Sequence, residues 1–206
     1  MRRQTWLFMA NPNIRLIDSD VISNLLVMTV RSDVSISLIK PPEYFQLLTT
    51  QVVIQEVQTG INKIDQTKKI NGNNISDSLI GEIKRTWVDI RNLFNIKESK
   101  EDPSTFKNRG EQSLINAMPA KKENCRIVSN NAADILKFFK DKGFTRKYYQ
   151  APFEFYEEME KYWFKDYKDM IRFIILSNHD FRVIHKKNLG NILTRVRIRW
   201  VILEYV

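Results

Sequence analysis

The sequence predicts an α/β fold with a central parallel sheet flanked by helices, followed by a helical and basic C-terminal extension. Three observations predict it. Short apolar runs alternate with longer stretches of helical spacing over residues 1–143, in the order strand, helix, strand, helix, helix, strand, helix. The polar residues Asp18, Glu56 and Asn131 each stand at or just after the end of a predicted strand, where parallel sheets gather their ligands. Hydrophobic residues make up 43% of the 206 and charged residues 28%, enough apolar material for a buried core with a polar surface.

Taken in order, residues 14–17 are mostly apolar and read as a first strand, ending at Asp18-Ser19-Asp20. Val21, Leu25 and Met28 follow at helical spacing, so a helix capped by Ser19 or Asp20 begins there. Residues 51–54 (QVVI) read as a second strand, with Glu56 just beyond it and a helix continuing over 57–64. Asn71-Gly72-Asn73-Asn74 is a loop by composition. Ser76 or Asp77 caps a long helix over 79–96, because Leu79, Ile80, Ile83, Trp87, Ile90 and Phe94 form one apolar stripe. Residues 97–110 are a charged loop, 111–117 a helix, 119–124 a turn and 125–128 a third strand. A helix over 132–142 ends at Gly143.

The texture changes after Pro152. Tyr156, Met159, Trp163, Tyr167, Met170 and Ile174 recur at helical spacing, a stripe that suits core packing better than a cofactor. Residues 181–203 contain no acidic side chain, and Arg195, Arg197 and Arg199 alternate with Val196, Ile198 and Trp200. On a strand this places three guanidinium groups on one face, either to track a phosphate backbone or to guard a sheet edge.

Net charge is +9. An excess of this size favours a polyanionic partner such as RNA, DNA or an acidic protein; a merely solvated basic surface is the competing reading. Cys125 is the single cysteine. It precedes an apolar run and is expected in the core of a protein kept reduced. Residues 6–10 form too short an apolar stretch for a secretory signal, and no run reaches membrane-spanning length, so a cytoplasmic protein is expected. His179 and His185 lack zinc-like spacing with the cysteine.

Acids from separated elements that meet at adjacent strand ends hold hard divalent cations, which can activate water and offset charge on a phosphodiester. Three segments carry such acids and a fourth ends in an amide, in order: RLIDSDVISNLL from Arg15 to Leu26, VVIQEV from Val52 to Val57, RGEQSLINA from Arg109 to Ala117, and IVSNN from Ile127 to Asn131. Together they resemble the motifs of PIN-domain ribonucleases over residues 12–160, with 161–206 as the extension. The resemblance implies a three-layer PIN-like fold that hydrolyses RNA with Mg²⁺ or Mn²⁺. It implies Asp18 as the central metal ligand, Glu56 and Glu111 completing the site, and Ser19 and Asp20 supporting Asp18.

One position departs from the pattern. Asn131 stands where the family usually has Asp, which lowers the expected metal affinity; Asp134, one helical turn on, is placed to compensate. Asp180, in the string Ser177-Asn178-His179-Asp180, ranks below both. Lys107 and Arg109 beside Glu111, with Arg195, Arg197 and Arg199, are the expected RNA contacts. Many members of the family are toxins of toxin–antitoxin pairs, so an antitoxin-like inhibitor and a homodimer join RNA as candidate partners. The alternative is a catalytically impaired PIN-like module that binds RNA or protein without cutting. Each acid also has a plainer role available: capping for Asp18, Ser19 and Asn131, a solvated surface for Glu56, and dipole complementation for Glu111.

Overall fold

Along the chain run β1 (Asn13–Ile17), α1 (Ser19–Ser32), β2 (Phe45–Thr50), α2 (Gln51–Thr67), a hairpin of β3 (Lys69–Ile70) and β4 (Asn73–Asn74), α3 (Asp77–Arg91), β5 (Asn95–Lys97), α4 (Arg109–Asn116), β6 (Cys125–Val128), α5 (Ala132–Asp141), a 3-10 turn (Arg146–Tyr148) and β7 (Tyr149–Gln150). The computed structural model describes residues 13–32, 45–70, 73–98, 109–119, 124–152, 154, 155 and 158. The expected helix over 155–174, the basic extension, and Lys107, Asp180, Arg195, Arg197 and Arg199 lie wholly or largely outside the described residues.

Five strands make one sheet in the order β5-β2-β1-β6-β7, and every pairing in it is parallel. The chain builds outward from β1 to β2 and β5, then returns to the other side of β1 for β6 and β7. That reversal puts a crevice between the carboxyl ends of β1 and β6, the position where open parallel sheets bind ligands. Helix α1 packs on α3, and α4 packs on α5. Right-handed crossovers assign these two pairs to opposite faces of the sheet, so helices flank it as expected.

Strands covered on both faces read as continuous apolar runs. Leu16, Ile17, Leu47, Leu48, Ile127 and Val128 are buried, and Val21, Ile22 and Leu25 of α1 close over them. Cys125 belongs to this core. Among the described residues no helix is long and apolar enough to cross a membrane.

The second strand lies six residues earlier than its expected position. Residues 45–50 form β2, and Gln51 opens α2. Thr50 ends the strand and caps the helix, its side chain accepting from Val53 N–H. Val53, Ile54, Val57 and Ile61 are then buried along one helical face. Burying four such side chains is worth roughly 6–12 kcal/mol before entropy is counted, and this outweighs the β preference of a Val-Val-Ile run. Ser76 caps α3 as expected, but the helix stops at Arg91 and Phe94 turns inward. The short edge strand β5 occupies 95–97 instead of the helix end. Asn73 and Asn74, expected in a loop, pair antiparallel with Ile70 and Lys69. Gly143 ends the last helix with φ +68°, a backbone that a side chain would strain.

One buried charge sits within the sheet. Arg15 on β1 is 3% exposed. Its Nε donates to Glu158 Oε2 at 2.8 Å, a second guanidinium nitrogen meets Glu158 Oε1, and the guanidinium lies 5.3 Å from the Phe45 ring centre. Gln150 Nε2 donates to Glu158 Oε2 at 3.1 Å. Glu158 is thus clamped to the first strand.

Candidate functional site

Asp18 is the first residue beyond β1. Its N–H still donates to Val128 O of β6 at 3.0 Å, while its own carbonyl accepts Ile22 N–H at 3.1 Å. It therefore closes the strand and opens α1, a place the sequence assigned to Ser19 or Asp20. Its Oδ1 accepts Ser19 N–H at 2.7 Å, and the Ser129 hydroxyl hydrogen-bonds to the same carboxylate. The side chain is buried, 4% exposed.

Asp20 ties α1 to the loop after β6. Oδ1 accepts Val21 N–H and Oδ2 accepts Asn130 N–H, both at 2.7 Å. Glu111 enters from the first turn of α4, half-buried, and its Oε1 accepts from Asn131 Nδ2 at 2.8 Å. Asn131 caps α5: its Oδ1 accepts Asp134 N–H at 3.4 Å, and its Nδ2 also donates to Asp134 Oδ2 at 2.6 Å. The capping role and the cluster role are therefore held by the same side chain. Ser129 Oγ accepts Asn131 N–H at 2.9 Å, so this serine links Asp18 to Asn131.

The electrostatics follow from the crowding. Burial pushes Asp18 up to about 7, and the negative charges of Asp20 and Glu111 push the same way. Asp20 is also raised, chiefly by burial and further by Glu111, against the hydrogen bonds from Asn130 and Val21 that favour its charged form. The amino ends of α1, α4 and α5 all start at this edge of the sheet, and their dipoles offset part of the accumulated charge.

Glu56 stands differently. It lies in the second turn of α2, exposed, rather than beyond a strand end. Its carboxylate rests on the first turn of α4: a Cβ added at Gly110 would sit 2.7 Å from Glu56 Oε2. Glycine is needed there for that close approach. Glu56 thus reaches the backbone next to Glu111, while the charges that raise Asp18 come from Asp20 and Glu111. The structure brings Asp18, Asp20, Glu111, Asn131 and Asp134 together, and sets the Glu56 carboxylate against Gly110 at the start of α4. Ser19 contributes its backbone N–H to Asp18 and its carbonyl to the Ser23 hydroxyl. Arg109, half-buried, opens α4 beside Glu111.

Several residues absent from the sequence assignment shape the site. Ser129 is wholly buried between Asp18 and Asn131. Tyr149 on β7 donates its hydroxyl to Ser129 O at 2.9 Å. Burial, then the charges of Glu154 and Asp20, push that phenol up to about 12, so it stays a neutral donor. Thr49 Oγ1 donates to Ile17 O at 2.9 Å, just before Asp18, and Thr50 Oγ1 lies 2.6 Å from Ser113 Oγ. The Ser-Asn-Asn run after an apolar strand was the signal for Ser129; nothing local marked Tyr149.

The cluster's side chains are carboxylate, amide and hydroxyl groups, with no imidazole or thiol among them. That donor chemistry suits Mg²⁺ or Mn²⁺ rather than a softer ion. The buried Asp18 beside two further acids is a place where a cation would relieve strain. Among the described residues, however, no three Asp, Glu, His or Cys side chains meet closely enough to hold one ion. The acids feel one another's charge while Asn131 Nδ2 occupies the space between Glu111 and Asp134. Comparison with protein-family models, curated proteins and solved structures finds no match to this chain.

Proposed function

We propose that this chain is a divergent PIN-like ribonuclease that hydrolyses RNA phosphodiester bonds with Mg²⁺ or Mn²⁺. The single observation that carries the reading is the gathering of Asp18, Asp20 and Glu111 around the loop after β6, at the crevice between β1 and β6. Acids drawn from two elements more than ninety positions apart in sequence gather where a parallel sheet binds its ligand. The strand order and flanking helices are compatible with the three-layer PIN-like fold.

Asp18 and Glu111 would hold the ion, with Glu56, Asp134 and the Asn131 amide oxygen as the further oxygen donors available to it. When bound, such an ion lowers the pKa of a water and offsets charge on the phosphodiester. Ser129 keeps Asp18 oriented by donating its hydroxyl, and Tyr149 fixes the Ser129 backbone in turn. Asp20 braces the loop after β6 through Asn130 N–H. Arg109 at the start of α4 would meet an RNA phosphate beside the acids. A toxin role and an antitoxin-like inhibitor belong to this proposal as consequences of the resemblance, and a homodimer and a cytoplasmic setting are proposed with them.

A second reading has its own observation. Asn131 already bridges Glu111 and Asp134 through its amide hydrogens, which satisfies these acids without any ion. A module that binds RNA or protein without cutting it would need nothing more. Incubating single-stranded RNA with Mn²⁺ and either the wild type or Asp18→Asn separates the two. Cleavage by the wild type alone supports the nuclease; RNA retained uncut by both proteins supports the binding module.

A further inference from the structure

Beside the acids lies a buried chain of hydroxyls whose direction can be assigned. Ser113 has one hydroxyl proton, and it is given to Gly110 O at 2.7 Å. In the 2.6 Å contact between Thr50 Oγ1 and Ser113 Oγ, Thr50 must therefore be the donor. Thr50 Oγ1 in turn accepts Val53 N–H at 3.3 Å. The run is one-way: Val53 N–H to Thr50, Thr50 to Ser113, Ser113 to Gly110 O. Thr50 and Ser113 are both 0% exposed, so water cannot replace either partner and each broken link leaves a buried polar atom unsatisfied.

The ends of this chain matter. Thr50 closes β2 and caps α2, while Gly110 O belongs to the residue just before Glu111. On its other side the Gly110 backbone carries the Glu56 carboxylate, at a distance only glycine permits. The first turn of α4 is thereby gripped between the end of β2 and the second turn of α2. Helix α4 has only eight residues, too few to set its own position without tertiary contacts.

We infer that Thr50 and Ser113 are positioning residues: their hydroxyl relay sets the first turn of α4 so that the Glu111 carboxylate reaches the Asn131 amide and the Asp18 side of the crevice. The inference rests on the reading of Glu111 as a member of the ion-binding cluster, but the geometry it asserts does not require the ion.

The test uses the full chain and two readouts. The first is the side-chain amide resonances of Asn131 in ¹H–¹⁵N spectra without added metal, with Glu111→Ala as the reference for a lost Glu111 contact. Thr50→Val and Ser113→Ala are expected to move these resonances toward the Glu111→Ala positions, while Thr50→Ser, which keeps the hydroxyl, leaves them at the wild-type positions. The second readout is Mn²⁺ affinity by calorimetry, expected to weaken about 10–100-fold in the two disrupting variants and to be retained in Thr50→Ser. Unmoved Asn131 resonances in folded Thr50→Val and Ser113→Ala proteins would overturn the inference. If the resonances move but the wild type takes up no Mn²⁺, the relay stands and the metal reading fails.

Discussion

Replacing Asp18 by Asn should make the protein more stable at alkaline pH while removing its response to divalent ions. An ordinary aspartate titrates near 3.8, and burial with Asp20 and Glu111 nearby pushes Asp18 up to about 7. Keeping that side chain charged in the folded state therefore works against folding, by about 4 kcal/mol at most. The folded protein holds this proton at pH values where the unfolded chain has released it. Stability should accordingly fall as the pH rises from about 4 to about 7 and level off above. Asparagine keeps the shape and carries no charge, so the variant should lack this slope.

In thermal unfolding with EDTA present, the two proteins should melt close together near pH 4, with the variant already somewhat higher at pH 5. At pH 8 the variant should melt higher, by about 8–16 °C if the full penalty were realised and roughly half that if the cluster relaxes. Adding Mn²⁺ at pH 8 should raise the wild-type midpoint, because an ion that binds only the folded state stabilises it. The variant should respond little. A variant that melts below the wild type at pH 8, or by a margin that does not change between pH 5 and 8, would refute the argument that Asp18 is a buried, charge-crowded acid.

Asn131→Asp should lower stability in EDTA by about 2–4 kcal/mol, since two amide hydrogen bonds to Glu111 and Asp134 give way to repulsion; its Mn²⁺-dependent gain in melting temperature should exceed that of the wild type. Gly110→Ala should stay within about 1 kcal/mol of wild-type stability, because the group displaced is the end of an exposed glutamate side chain. Its Mn²⁺ affinity, measured by calorimetry, should fall as the Glu56 carboxylate swings away. Arg15→Ala or Glu158→Ala should each cost about 3–5 kcal/mol in urea unfolding, whereas Arg15→Met with Glu158→Leu should recover most of the loss, since an apolar pair leaves no buried charge behind.

What could be read from the chain beforehand divides along physical lines. The strand ending at Asp18 and the one ending at Ser129 were legible because each is an apolar run that stops at polar residues suited to starting a helix. The second strand was misplaced because Val52-Val53-Ile54 has β propensity, whereas the deciding features are the Thr50 cap and the spacing of Val53, Ile54, Val57 and Ile61. Strands β5 and β7 have three and two residues; runs so short carry no periodicity and exist only through pairing with β2 and β6. Asp18, Asp20, Glu111, Asn131 and Asp134 could be grouped from the sequence because their motifs fall at strand and helix ends, which the topology collects at one edge. Glu56 was expected just beyond a strand end as a metal ligand; it lies instead within α2, with its carboxylate against Gly110. The Arg15–Glu158 pair spans 143 positions, and no local pattern announces a contact of that range.

The position that departs from the motif it resembles is also the one whose amide joins Glu111 to Asp134. Three acids crowded without a counter-charge should spread apart or take up protons, and Asp18 is already held up to about 7. A further carboxylate at 131 would add repulsion beside Glu111 and Asp134. The amide there supplies two donors to those same groups, performing with partial charges some of what a divalent ion performs with a full one. If the proposed ion binds, the folded state would depend less on it, and its binding would displace hydrogen bonds that a carboxylate would never have made. Stability without metal and affinity for metal consequently trade against each other at this residue. The trade is favourable for a module that must persist without metal, and unfavourable for a nuclease unless Asn131 can turn its oxygen toward the ion and its nitrogen away from Glu111.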